Sequence, residues 1–150
     1  MIAGIIEDDH DAGRELLAAI GNAPQPAWEE RAGEMQALAE RWRAHGAMLE
    51  QAVFPALGTG ALGAGEGSVG EFRDLHRTVA GLAEDLARRA PSGETDGHWL
   101  TDFERLKAAF DTQCERESGA LVRQIRERLT PDAIGEMTRR ARALRQPRAA

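Results

Sequence analysis

Residues 28–54 run WEERAGEMQALAERWRAHGAMLEQAVF, and their apolar positions Met35, Leu38, Trp42, Leu49, Ala52 and Val53 recur every three or four residues. That spacing keeps the side chains on one face of a 3.6-residue helix, the pattern of a seam between packed helices. His45 falls on the same stripe, so the segment predicts a helix that buries an imidazole.

Three further segments repeat the pattern, each with a polar interruption. Residues 2–20 carry Ile2, Ile5, Ile6, Leu16, Leu17 and Ile20, with His10 and Gly13 on the stripe. Residues 69–90 carry Phe72, Leu75, Val79, Leu82 and Leu86, with His76; residues 99–129 carry Phe103, Leu106, Phe110, Leu121, Ile125 and Leu129, with Gln113 and Glu117. Gly and Pro clusters separate the four, and no segment alternates with period two. The economical fold is all-α, an up-down-up-down four-helix bundle. After Pro131 a short amphipathic helix with Ile134, Met137, Ala141 and Leu144 is expected to cap it. The expected organisation is one domain over residues 1–150, with the bundle in 1–130 and the short helix and basic tail in 131–150.

Composition narrows the function. With 150 residues, 19 basic against 25 acidic side chains and one cysteine, the chain suits one domain without an internal disulfide framework. No apolar run approaches the ~18 residues of a membrane span, and acid at Glu7, Asp8 and Asp9 follows the start with no basic segment before it. A cytoplasmic protein with no membrane partner is expected. Five arginines between residues 139 and 148 leave the rest of the chain strongly acidic, which argues against nucleic acid and favours a solvated helix end. The glycine-rich stretch 58–67 lacks the Lys-Ser/Thr of a phosphate loop, so it reads as a connector. No nucleophile-elbow or Ser-His-Asp pattern occurs, so no catalytic residue is assigned. Cys114 and the tryptophans Trp28, Trp42 and Trp99 read as packing, His98 as a surface or helix-end residue, and Glu7-x2-His10 as a chance spacing without a second copy.

Axial arithmetic tests whether the polar interruptions meet. At about 1.5 Å per residue, His76 and Gln113 each lie roughly 21 Å from the connection between their helices. His45 and His76 lie about 14 and 10 Å from theirs, whereas His10 and His45, at about 15 and 26 Å, agree only if their helices are staggered. Titratable groups gathered in one buried layer cost free energy unless something satisfies them, and a divalent cation does so for imidazoles and a carboxylate together. The candidate metal residues are His10, His45, His76 and Glu117, with Gln113 as a weak ligand or a hydrogen-bonding neighbour.

These residues resemble the hemerythrin-like, or HHE cation-binding, family over nearly the whole chain. Asp9-His10 with Glu15-Leu16-Leu17 resembles its first helix, and His45 followed by Glu50, Val53, Phe54 and Pro55 is similar to its H-x3-E-E-x2-L-F-P signature. His76 resembles its third-helix histidine, Gln113-x3-Glu117-x3-Leu121 its His-x3-Glu segment, and Leu129-Thr-Pro-Asp its exit from the fourth helix. The resemblance implies a non-haem iron centre that binds or senses oxygen, or handles peroxide or nitric oxide. The pattern departs at two ligand positions, where Leu49 replaces a carboxylate and Gln113 a histidine, and Phe72 and Ala80 flank His76 where some members carry a second histidine. Glu50 does not repair the loss, being rotated about 140° from His45 on an α-helix. One cation rather than a di-iron pair is therefore expected, either zinc in a closed site or iron(II) with open positions for a small diatomic ligand. The competing expectation is a bundle that has lost its metal and serves as an interaction module.

Overall fold

The computed structural model describes residues 1–22, 28–58, 67–92 and 97–145. The connector residues 59–66 and Arg148 lie outside the described residues. The helices are α1 (Ile2–Asn22), α2 (Trp28–Met48), α3 (Phe54–Leu57), α4 (Val69–Arg89), α5 (Trp99–Arg116), α6 (Val122–Arg128) and α7 (Pro131–Arg145). No strand occurs among the described residues. Among the described residues no helix is long and apolar enough to cross a membrane.

Local chemistry sets the helix starts. Ser68 caps α4 by accepting the Glu71 backbone N–H at 3.1 Å, while the Glu71 carboxylate accepts from the Gly67 amide at 3.2 Å. Thr130 accepts from the Ala133 amide at 3.1 Å and Pro131 opens α7, where its missing N–H costs nothing. Two of the expected long helices contain a π-helical turn instead of running as unbroken α-helix. Leu49–Val53 joins α2 to α3, with the Phe54 amide bonded to the Leu49 carbonyl; Glu117–Leu121 joins α5 to α6, with the Val122 amide bonded to the Glu117 carbonyl. Such turns add a residue to one helical turn and recur at functional sites.

Helix α2 packs on both α1 and α4, and α4 on α5. The buried apolar residues form two clusters. One gathers Ile2, Ile6, Leu49, Val53, Phe54, Phe72, Leu121 and Ile125; the other gathers Leu17, Met35, Leu38, Trp42, Val79, Leu86, Phe103 and Phe110. Along the chain α1 and α4 pass from the first cluster to the second, and α2 and the continuous run from α5 into α6 pass from the second to the first. The polar residues of every stripe fall between them. Met137 and Ala141 bring α7 onto the first cluster, whereas Leu144, expected to cap, is exposed.

Two glycines test this packing in opposite directions. A Cβ at Gly13 would lie 2.6 Å from two Phe110 ring atoms and 3.3 Å from Trp42. Gly13→Ala is therefore expected to cost about 1–3 kcal/mol in urea unfolding, because two buried rings must shift. Gly33 is exposed, and among the described residues nothing lies within 4 Å of an added Cβ, so Gly33→Ala should gain about 0.5–1 kcal/mol from helix preference alone.

Candidate metal centre

Between the two apolar clusters, Glu117 is the hub of a buried polar layer. Its Oε1 accepts from His10 Nε2 at 2.9 Å and from His45 Nε2 at 2.7 Å, and its Oε2 accepts from the Gln113 amide at 2.7 Å. His10, His45, Gln113 and Glu117 are at most 1 % exposed, so the cost of removing them from water rests on these contacts. The carbonyl oxygen of Gln113 is occupied: the Trp42 indole N–H, which can only donate, bonds to it at 2.8 Å. That fixes the amide, directing its NH2 toward Glu117 and the Nδ1 of His76, 3.2 Å away.

His45 lies between two carboxylates. Its Nδ1 is 2.6 Å from Asp9 Oδ2 while its Nε2 faces Glu117, so both ring nitrogens donate and the ring is an imidazolium. Burial favours the neutral form, but the Glu117 charge and the hydrogen bonds to both carboxylates outweigh it, raising the pKa from 6.5 to about 9. For Glu117, burial is overcome by the His45 charge and the bonds from His10, His45 and Gln113, which hold its carboxyl far below the usual range. Asp9 is lowered too, burial being outweighed by His45 and Arg145. His76 goes the other way: burial, with the positive His45 nearby, brings it down to about 4.

Of the five residues singled out in the sequence, His10, His45 and Glu117 converge, each offering a ligand atom within 4.8 Å of the others. His76 stands beside this group, its ring 6.0 Å from that of His45 and turned over Gly46, where an added Cβ would collide with Nε2. Gln113 touches Glu117 through nitrogen, which does not ligate a cation. Leu49 is buried in the first apolar cluster, and Glu50 is exposed, paired with Arg73 at 2.6 and 2.9 Å. Glu7 stands 3.7 Å from the outer nitrogen of His10 and bonds Ser118. Cys114 is buried against the second cluster with its thiol pushed up to about 12 by burial, so it holds little reactive thiolate.

Sequence reasoning misses Asp9. It reads as part of the acidic run Glu7-Asp8-Asp9, yet it lies four residues after Ile5 on the apolar stripe, and that periodicity is the signal that marks it. Trp42 likewise does more than pack: its ring stacks on His45 with centroids 4.6 Å apart, and its N–H sets Gln113.

The donor chemistry fits a divalent cation. Nitrogen and oxygen ligands at about 2.0–2.2 Å from a four-coordinate ion stand roughly 3.4 Å apart. The present His10–Glu117 and His45–Glu117 contacts, 2.9 and 2.7 Å, need open by only about 0.5 and 0.7 Å when a cation replaces their protons. No match was found among curated proteins or among solved structures. The sequence pattern of the Hemerythrin HHE cation binding domain matches residues 1–130. The match spans all four helical stripes and includes His10, His45 and Glu117; the chain belongs to the hemerythrin HHE cation-binding family.

Proposed function

We propose that the protein is a single-domain, up-down-up-down four-helix bundle, residues 1–130 with a C-terminal extension, that binds one divalent cation through His10 Nε2, His45 Nε2 and Glu117. The observation carrying this reading is the convergence of those three buried donors, whose ligand atoms lie within 4.8 Å of one another. Two imidazoles and one carboxylate leave coordination positions open, a set suited to non-haem iron(II), with zinc as the alternative ion. When bound, such an ion supplies a place for a small diatomic molecule, so the use we infer is sensing or handling of oxygen or nitric oxide in the cytoplasm. Gln113 and Trp42 orient Glu117, Asp9 orients His45, and His76 lines the layer as a neutral imidazole that adds no charge.

A metal-free reading has its own support. Glu117 already accepts three hydrogen bonds and His45 already bridges two carboxylates, so protons close the network as a cation would. Expression in iron- and zinc-supplemented medium with elemental analysis separates the two. About one metal per chain is expected, lost in His45→Ala; a wild-type chain purified without bound metal overturns the cation reading and leaves an interaction module.

A further inference from the structure

Helix α7 ends at the metal centre's outer edge. Met137 and Ala141 hold it on the first apolar cluster, and its last residue, Arg145, reaches back to α1. The Arg145 guanidinium pairs with Asp9 Oδ1 and lies 3.4 Å from the Ile5 carbonyl, while Asp9 Oδ2 accepts from His45 Nδ1 at 2.6 Å. Arg41 of α2 stands farther off, 3.5 Å from Asp9 Oδ1. The Asp9 side chain is 3 % exposed and Arg145 33 %, so a surface cation closes over a buried anion. A cavity of about 280 Å³ lies at this seam, lined by Asp9, Arg41, His45 and Arg145 among others.

Resting on the cation reading above, we propose that Asp9 and Arg145 are positioning residues of the metal centre, which makes the docking of α7 and the binding of the cation favour one another. Asp9 holds the Nδ1–H of His45, fixing the ring so that Nε2 faces Glu117 and the cation position. The other oxygen of this buried carboxylate needs a compensating charge, and α7 delivers the nearer of the two cations that supply it, Arg145, with Arg41 behind it. When α7 lifts, Asp9 faces an open cavity and turns toward water or Arg41, and His45 loses its fixed orientation. Because the coupling is an equilibrium property, whatever factor Arg145 contributes to cation affinity, the cation returns to the docking of α7.

The test is a zinc(II) titration against a competing chelator, on the full chain, with hydrogen exchange of the α7 backbone amides measured with and without zinc. Asp9→Asn, which keeps the shape and removes the charge, is expected to weaken zinc about 10–100-fold, as loss of an outer hydrogen-bond partner does. Arg145→Ala is expected to weaken it about 5-fold, the more distant Arg41 replacing part of the contact, and Arg145→Lys to restore most of the loss. Zinc should slow exchange in α7 of the wild type by a similar factor, and not in Arg145→Ala. Were α7 a merely structural cap, Arg145→Ala would lower stability and leave zinc affinity unchanged; that result overturns the coupling while the cation site stands. Failure of the wild type itself to bind zinc or iron(II) overturns the site and the coupling together. Should Asp9→Asn not fold, the Arg145 variants decide the question.

Discussion

Replacing Glu117 by Gln is expected to abolish cation binding and to destabilise the metal-free fold by about 3–5 kcal/mol, the cost of removing one partner from a buried ion pair. The reason lies in the donors that surround it. His10, His45 and Gln113 all point N–H groups at this one carboxylate. The Gln113 NH2 cannot turn away, because its oxygen is held by the Trp42 indole, so the new amide meets it donor to donor on one side. On the other side the His45 imidazolium loses one of its two anions in a fully buried layer. Urea unfolding of the metal-free proteins gives the stability change, and metal content per chain gives the site. Glu117→Gln that retains one bound metal per chain would show that the cation sits elsewhere, while loss of stability well under 1 kcal/mol would show that His45 is neutral in the fold. A His45→Ala/Glu117→Ala double variant adds a check: if the two act as a pair, it should be less destabilised than the sum of the single variants.

The helices are legible in the sequence because the apolar stripes are long and punctuated: the expected segments 2–20, 69–90 and 99–129 begin where α1, α4 and α5 begin. The π-helical turns at Leu49–Val53 and Glu117–Leu121 are not, since their buried residues, Leu49, Ala52 and Val53 in one and Glu117, Ala120 and Leu121 in the other, keep the three- and four-residue spacing of an α-helix. Within the site, the pairing of His76 with Gln113 follows from axial arithmetic, and the two do touch. The arithmetic fixes height but not the direction in which a ring leaves its helix. Gly46 determines that direction for His76, by leaving a slot that only a missing Cβ provides. The pair His10 and His45, whose heights disagree most, nonetheless meets at Glu117 with ring centroids 5.6 Å apart, because α1 and α2 are staggered. Asp9 and Arg145, 136 positions apart, are joined by no local pattern.

The metal-free fold is expected to be most stable near pH 6.5 and to weaken on both sides, while cation affinity keeps rising with pH. His45 has its pKa raised from 6.5 to about 9, so its contribution is fully present below 6.5 and disappears as pH climbs through 9. His76 has its pKa lowered from 6.5 to about 4, so between those values the unfolded chain takes up a proton that the fold excludes, and stability falls with pH. At about 1.4 kcal/mol for each pH unit between folded and unfolded pKa, each histidine commands roughly 3 kcal/mol across its window. Asp9 and Glu117, both lowered, reinforce the acid limb, since their contributions are lost as pH falls below the ordinary carboxylate range. Cation binding responds with the opposite sign above 6.5, because the ion must displace the proton on His45 Nε2. Affinity for zinc should therefore rise about tenfold per pH unit between pH 6.5 and 8, over the range in which the metal-free fold is losing stability. Urea unfolding from pH 5 to 9.5, paired with chelator competition from pH 6.5 to 8, reads both slopes. A flat stability profile from 6.5 to 9 together with pH-independent zinc binding would mean that His45 is neutral in the fold, leaving Asp9 and Glu117 to be held by other donors.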